Sequence, residues 1–177
     1  MSTLKDLFLK WAGIGSRETP EWVFPLFIAI GWHMASLKCK LFSGGAPGPD
    51  TEFERGTIRF MRDNNVRNLM EIWLPWRTFG KRKGIDGNHY KVLDKPDYDF
   101  ARHILNDSGV CVNPWFVKMG QAIQKLFARN VYQILTGDWS KVDLVIYYAK
   151  ENREKGTVGG ENSYRSLPSA PFRHPDL

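Results

Sequence analysis

The chain alternates short apolar runs with longer stretches whose apolar residues recur every three or four positions, and glycine or proline separates them. Lys10 to Ile14 predicts a short strand ending in Gly15-Ser16-Arg17. Thr19-Pro20 then supplies an N-cap and a first-turn proline for a helix to about Leu37. That helix is apolar nearly all round, which predicts a place inside the fold. Cys39 to Phe42 reads as the next strand. A glycine-rich loop follows, then a helix through about Asp63 with Phe53, Phe60 and Met61 on one face. Leu69 to Leu74, stopped by Pro75, is a third strand, and the polar, glycine-rich stretch from Thr78 to Asn88 reads as a mobile loop. Beyond it come a helix from about Pro96 to Asn106 and the short run Val110-Cys111-Val112. Asn113-Pro114 caps another helix, with Trp115, Met119, Ile123, Leu126 and Phe127 at helical spacing. Val131 to Leu135 and Val142 to Tyr148 read as the last strands.

Apolar strands alternating with helices predict an α/β fold, Rossmann-like, with a mostly parallel sheet and helices on both faces. With 177 residues the chain can bury one substantial core, so residues 1–160 are expected to form a single domain. Residues 161–177, broken by Pro168, Pro171 and Pro175, read as a proline-rich tail. A net charge of +6 favours anionic partners and allows nucleic acid without demanding it. Cys39 and Cys111 sit among apolar neighbours, which suits reduced, buried thiols and a cytoplasmic location. The apolar run from Trp22 to Leu37 is too short to span a bilayer and carries His33 and Pro25, and no signal-peptide pattern opens the chain. No membrane partner is expected.

In a parallel sheet, ligands bind beyond the carboxyl ends of the strands, where backbone N–H groups and helix N-termini attract phosphate. Three glycine turns are placed to do this. Ser43-Gly44-Gly45-Ala46-Pro47-Gly48-Pro49-Asp50 follows the second strand, and its glycines let backbone N–H groups approach an anion. Asp50 would repel phosphate, so it is expected either to cap the helix or to bond ribose hydroxyls. Gly15-Ser16-Arg17 offers a hydroxyl and a guanidinium suited to bidentate phosphate contact. Gly156-Thr157-Val158-Gly159-Gly160 follows the last strong strand. Each turn could equally be only a turn. The four histidines are scattered without a ligand pattern, so no metal is expected, and no Gly-x-Ser-x-Gly elbow is present. Glu52 and Glu54 are two apart, so at most one of them can face a site.

The order of "GIGSRETP", "SGGAPGPDTEFERG", "EIWLPW", "NPWF" before a helix ending in "ARN", "VDLVIYYA" and "GTVGG" resembles the SLOG superfamily. Within it, the chain is most similar to phage and bacterial proteins of the DNA recombination-mediator protein A-like type, relatives of DNA-processing protein A and of the LOG phosphoribohydrolases. The resemblance covers about Lys10 to Gly160. It implies a Rossmann-like domain that holds a nucleotide-type or phosphate-bearing ligand. Carried over residue by residue, the ligand contacts would be Gly15, Ser16, Arg17, Ser43, Gly44, Gly45, Ala46, Gly48, Asp50, Thr157, Gly159 and Gly160. Arg129-Asn130 matches the family's Arg-Asn pair, which either orients the ligand or serves a helix C-terminus. The hydrolases' proline-glycine-glycine motif with its following threonine and glutamate is not matched by "GTVGGENSY".

Three functions follow as expectations. The first is a binder of a nucleotide or nucleotide-derived metabolite, acting as a sensor or sequestering protein in phage–host conflict. The second is a single-stranded DNA-binding mediator, with Lys81-Arg82-Lys83 on phosphates and Trp76 and Trp115 stacking bases. The third is a nucleotide N-glycosidase. No cofactor is expected, catalytic residues are not assigned, and homo-oligomerisation stays open.

Overall fold

Five parallel strands build the sheet, in the spatial order β4-β3-β2-β1-β5. They are β1 (Lys10–Gly15), β2 (Lys40–Ser43), β3 (Met70–Leu74), β4 (Tyr90–Val92) and β5 (Leu144–Tyr148). The computed structural model describes residues 9–81, 88–107, 118–136 and 140–149, and the backbone of β6 (Glu151–Asn152) and β7 (Thr157–Val158), a small antiparallel pair. Helices α1 (Phe24–Ser36), α2 (Pro49–Asp63), α3 (Lys95–Asp107) and α4 (Gln121–Ile134) cover the sheet. The expected α/β, Rossmann-like architecture is what the chain adopts. Val110-Cys111-Val112, the Asn113-Pro114 cap, Arg82-Lys83 and the tail lie outside the described residues.

Adjacent residues of a strand point to opposite faces, and β3 shows this in its packing. Ile72 and Leu74 join Trp11, Phe27, Phe53 and Phe60 in a core beneath α1 and α2. Trp73 turns the other way and joins Ala101, Ile104, Val131 and Tyr132 beneath α3 and α4. Trp73 stacks on Tyr132 with ring centroids 4.1 Å apart, and Trp11 meets Phe53 edge-on at 5.5 Å. Helices therefore lie on both faces.

Helices α1 and α2 touch backbone to backbone. A Cβ on Gly56 would stand 2.1 Å from the Ile28 carbonyl oxygen, and one on Gly31 would stand 2.2 Å from that of Phe53. Thr57 donates its hydroxyl to the Phe53 and Gly31 carbonyls at the same crossing. Gly56→Ala is expected to push the helices apart and to destabilise the protein by about 1–3 kcal/mol, the usual cost of overpacking. Urea unfolding would read this as a lower midpoint at unchanged slope.

Four local expectations are corrected. Thr19 does not cap α1: its hydroxyl donates to the Ser16 carbonyl at 2.6 Å, and a single 3₁₀ turn, Glu21–Val23, precedes α1. Helix α1 is buried on one side only, because nothing among the described residues covers its outer face; Trp22 is 81% exposed. Val131 to Leu135 is not a strand. Val131 to Ile134 continues α4, since Ala128, Val131 and Tyr132 share one buried helical stripe that outweighs the strand preference of Val, Tyr and Ile, and Leu135 alone is extended, in a single bridge to Lys141. Strand β4, Tyr90–Val92, was not expected from the sequence, because three residues carry no readable period.

Candidate functional site

Strands β2, β3 and β4 extend from one side of β1, and β5 pairs with its other side. The order reverses there, so β1 and β5 flank the switch point where parallel sheets open a crevice. A cavity of about 130 Å³ lies at this position, at the carboxyl ends of both strands. Ile14, Gly15 and Arg17 line it from β1, Tyr147, Tyr148 and Ala149 from β5, Ala46 and Asp50 from the glycine loop and α2, and Arg129, Asn130 and Gln133 from α4.

The turn after β1 is tied to β5. Ser16 donates its backbone N–H to the Tyr148 carbonyl at 3.1 Å, and its hydroxyl oxygen accepts from the Glu18 N–H at 3.1 Å. Ser16 thus shapes the turn that carries Arg17 and does not itself line the cavity. Arg17 is exposed and has no ion pair among the described residues.

The glycine loop holds an anion, but the anion belongs to the protein. Asp50 is the second residue of α2, and its side chain folds back into the loop. Its Oδ2 accepts from the Ala46 N–H at 3.3 Å, from Arg129 Nη1 at 3.3 Å and from Gln133 Nε2 at 3.2 Å, and the Gly44 N–H also bonds the carboxylate. Asp50 makes no capping bond to the α2 N-terminus, whose N-cap is Gly48. Of the two expected roles, the cap is corrected: Asp50 fills the loop and anchors α4. Gly45 and Gly48 adopt positive φ, 61° and 102°, the left-handed region that suits glycine. Gly44 serves a different purpose. A Cβ there would fall 1.3 Å from Arg129 Nη1 and 2.7 Å from its Cδ, so the missing side chain is the space that Arg129 occupies.

Arg129 is the centre of the site. Its guanidinium lies over Gly44, pairs with Asp50, and sits 5.6 Å from the centroid of the Phe79 ring. The residue is buried, and its Nε has no hydrogen-bond partner among the described residues. It stands five residues before the end of α4, so the reading of Arg129 as a helix C-terminal partner is corrected. Burial pushes its pKa down, the Asp50 carboxylate opposes this, and the nearby charge of Arg17 lowers it further. An arginine stays protonated nonetheless. Burial likewise pushes the Asp50 carboxyl up, against the opposing influence of Arg129 and of the Ala46 and Gly44 N–H groups.

Of the expected ligand residues, the cavity brings together Gly15, Arg17, Ala46, Asp50, Arg129 and Asn130. Ser43 is corrected to a structural role: it is fully buried, with its hydroxyl donated to the Gly13 carbonyl at 2.7 Å. Gly44 lies beneath the Arg129 side chain. Thr157 pairs through its backbone with Asn152, and Gly159 and Gly160 lie outside the described residues. Neither Glu52 nor Glu54 lines the cavity; Glu52 pairs with Arg55, and Glu54 accepts the Tyr90 hydroxyl. Sequence reasoning missed Gln133, Phe79 and the Tyr147-Tyr148 pair. The four-residue step from Arg129 to Gln133 was the available signal for the first, and position at a strand end was the signal for the tyrosines.

No helix among the described residues is long and apolar enough to cross a membrane. No protein-family model, curated protein or solved structure matches the chain.

Proposed function

We propose that the chain binds a nucleotide or nucleotide-derived ligand through a phosphate held between Arg17 and Arg129 in the switch-point cavity. One observation carries the reading: two guanidinium groups, Arg17 and Arg129, the first near enough to disfavour the charge of the second, share a cavity in which Asp50 is the one carboxylate among the described lining residues. That cluster carries one net positive charge, and an anion entering it relieves the repulsion. The resemblance to the SLOG superfamily supports the same class of ligand. Cavities for whole drug-sized ligands measure about 300–1,000 Å³. The smaller volume here fits a phosphate head group, with the rest of the ligand lying outward across Tyr147, which is 46% exposed.

The carboxylate in this cavity is committed to Arg129 and Gln133. That favours binding, as in a sensor or sequestering protein, over the N-glycosidase alternative. Arg17→Ala is the direct test of the reading. Arg17 is exposed, so the fold is expected to be unaffected, whereas affinity for a nucleoside monophosphate is expected to drop by about 1.5–3 kcal/mol, the worth of a hydrogen bond to a charged group. Calorimetric titration of both proteins measures it, and equal affinities would overturn the assignment.

A further inference from the structure

Helix α1 presents an apolar face to the outside. Leu26 is 57% exposed and Trp32 is 40% exposed, alongside Trp22, and Pro25 and Ala29 are exposed with them. Positions 22, 25, 26, 29 and 32 recur every three or four residues, so they form one continuous stripe. Single exposed apolar residues are ordinary, but a contiguous patch marks an interaction surface. Beside the stripe runs a groove of about 700 Å³, lined by Pro25, Ile28, Ala29, Trp32, Arg59 and Asp63. The opposite side of α1 is already spent on α2 and the sheet, through Phe27, Gly31 and Ala35.

We propose that this face binds a second copy of the chain, with the two α1 helices antiparallel about a two-fold axis near Leu26 and Ala29. A two-fold interface must be complementary to itself, and this stripe is so in size and in charge. Antiparallel pairing sets Leu26 against the partner's Ala29, a large side chain against a small one. It brings Trp22 over the groove beside the partner's Trp32. The exposed residues Glu18 and Glu21 stand before α1, and the exposed Lys38 stands just beyond its end. The same pairing lays each acidic end beside the partner's basic end, whereas parallel pairing would set like charges together. Arg59 and Asp63 pair with each other at 3.7 Å within the chain, so the groove sets no unbalanced charge against its own copy. Antiparallel helices also align their dipoles favourably. A stable dimer buries roughly 800 Å² per partner, and an aromatic side chain carries about 150–250 Å²; Trp22, 81% exposed, contributes most of its surface, while Trp32, 40% exposed and packed edge-on against Phe60, contributes the smaller share. This inference is independent of the ligand proposed above.

Light scattering coupled to size-exclusion chromatography tests it on the full chain. The wild-type protein is expected at twice the chain mass of 20.4 kDa, and Leu26→Asp at that mass itself with an unchanged circular dichroism spectrum. Ala29→Cys, at the proposed axis, is expected to give a dimer under oxidation that reductant separates. A monomeric wild-type protein would overturn the proposal. A dimer that survives Leu26→Asp would overturn it as well, and absence of the Ala29→Cys cross-link would overturn the antiparallel arrangement.

Discussion

Replacing Arg129 with alanine is expected to cost about 3–5 kcal/mol of stability, the loss seen when one partner of a buried ion pair is removed. Small domains hold only about 5–15 kcal/mol in total, so the variant should stand near the edge of folding. The cause is Asp50, which would keep its buried carboxylate and lose the cation bonded to it at 3.3 Å. Protonation offers Asp50 an escape, and that gives the prediction a pH signature. Burial already holds the folded-state pKa of Asp50 above its usual value, and removing Arg129 raises it further. Between the unfolded value of about 3.9 and the raised folded value, the folded form binds more protons than the unfolded one. Stability therefore falls as pH rises through that window, and it falls further in Arg129→Ala than in the wild type. Urea unfolding of both proteins at about pH 5 and about pH 8 should show a larger gap between them at the higher pH. A gap independent of pH would mean that Asp50 does not depend on Arg129 for its charge.

Gly44→Ala is expected to have an effect of similar size by displacing the same side chain. The new methyl group would occupy the position of the Arg129 guanidinium, which Asp50 and Phe79 hold on its other sides. Either Arg129 leaves the pair or the loop opens. Both routes break the Asp50 contact and remove one of the two cations from the cavity, so stability should drop by roughly 3 kcal/mol and anion affinity should fall with it. A double-mutant cycle separates this account from one in which Gly44→Ala acts independently of Arg129. In an Arg129→Ala background the space is empty, and Gly44→Ala should then cost less than about 1 kcal/mol, because residues in contact are strongly non-additive. Full additivity would show that the glycine matters for some other reason.

The glycine loop illustrates what the sequence could and could not disclose. Strand, glycine turn and helix were legible from Lys10 onward, because period and punctuation are local properties, and they carried the succession of elements as far as β3. The loop was legible as an anion site too. Its occupant was not, because Asp50 meets Gly44 and Ala46 through a fold-back, and meets Arg129 and Gln133 across about 80 residues of chain. Reading Val131 to Leu135 as a strand hid Gln133, whose role appears only when α4 continues one turn further. The outer face of α1 misled for a related reason. Apolarity all round a helix predicts burial, but it does not say whether the cover comes from the same chain or from another copy.

The central claim is that a phosphate-bearing ligand lies between Arg17 and Arg129, and nitrogen NMR of the arginine side chains tests it most directly. Titration of the labelled protein with a nucleoside monophosphate, ADP-ribose or a cyclic nucleotide is expected to shift the Nε–Hε resonances of both arginines, saturably and with one common Kd, for at least one of these ligands. Inorganic phosphate should move the same two resonances at higher concentration. Resonances of Arg17 and Arg129 that stay unmoved across the whole panel, or that move without saturating, would contradict the account.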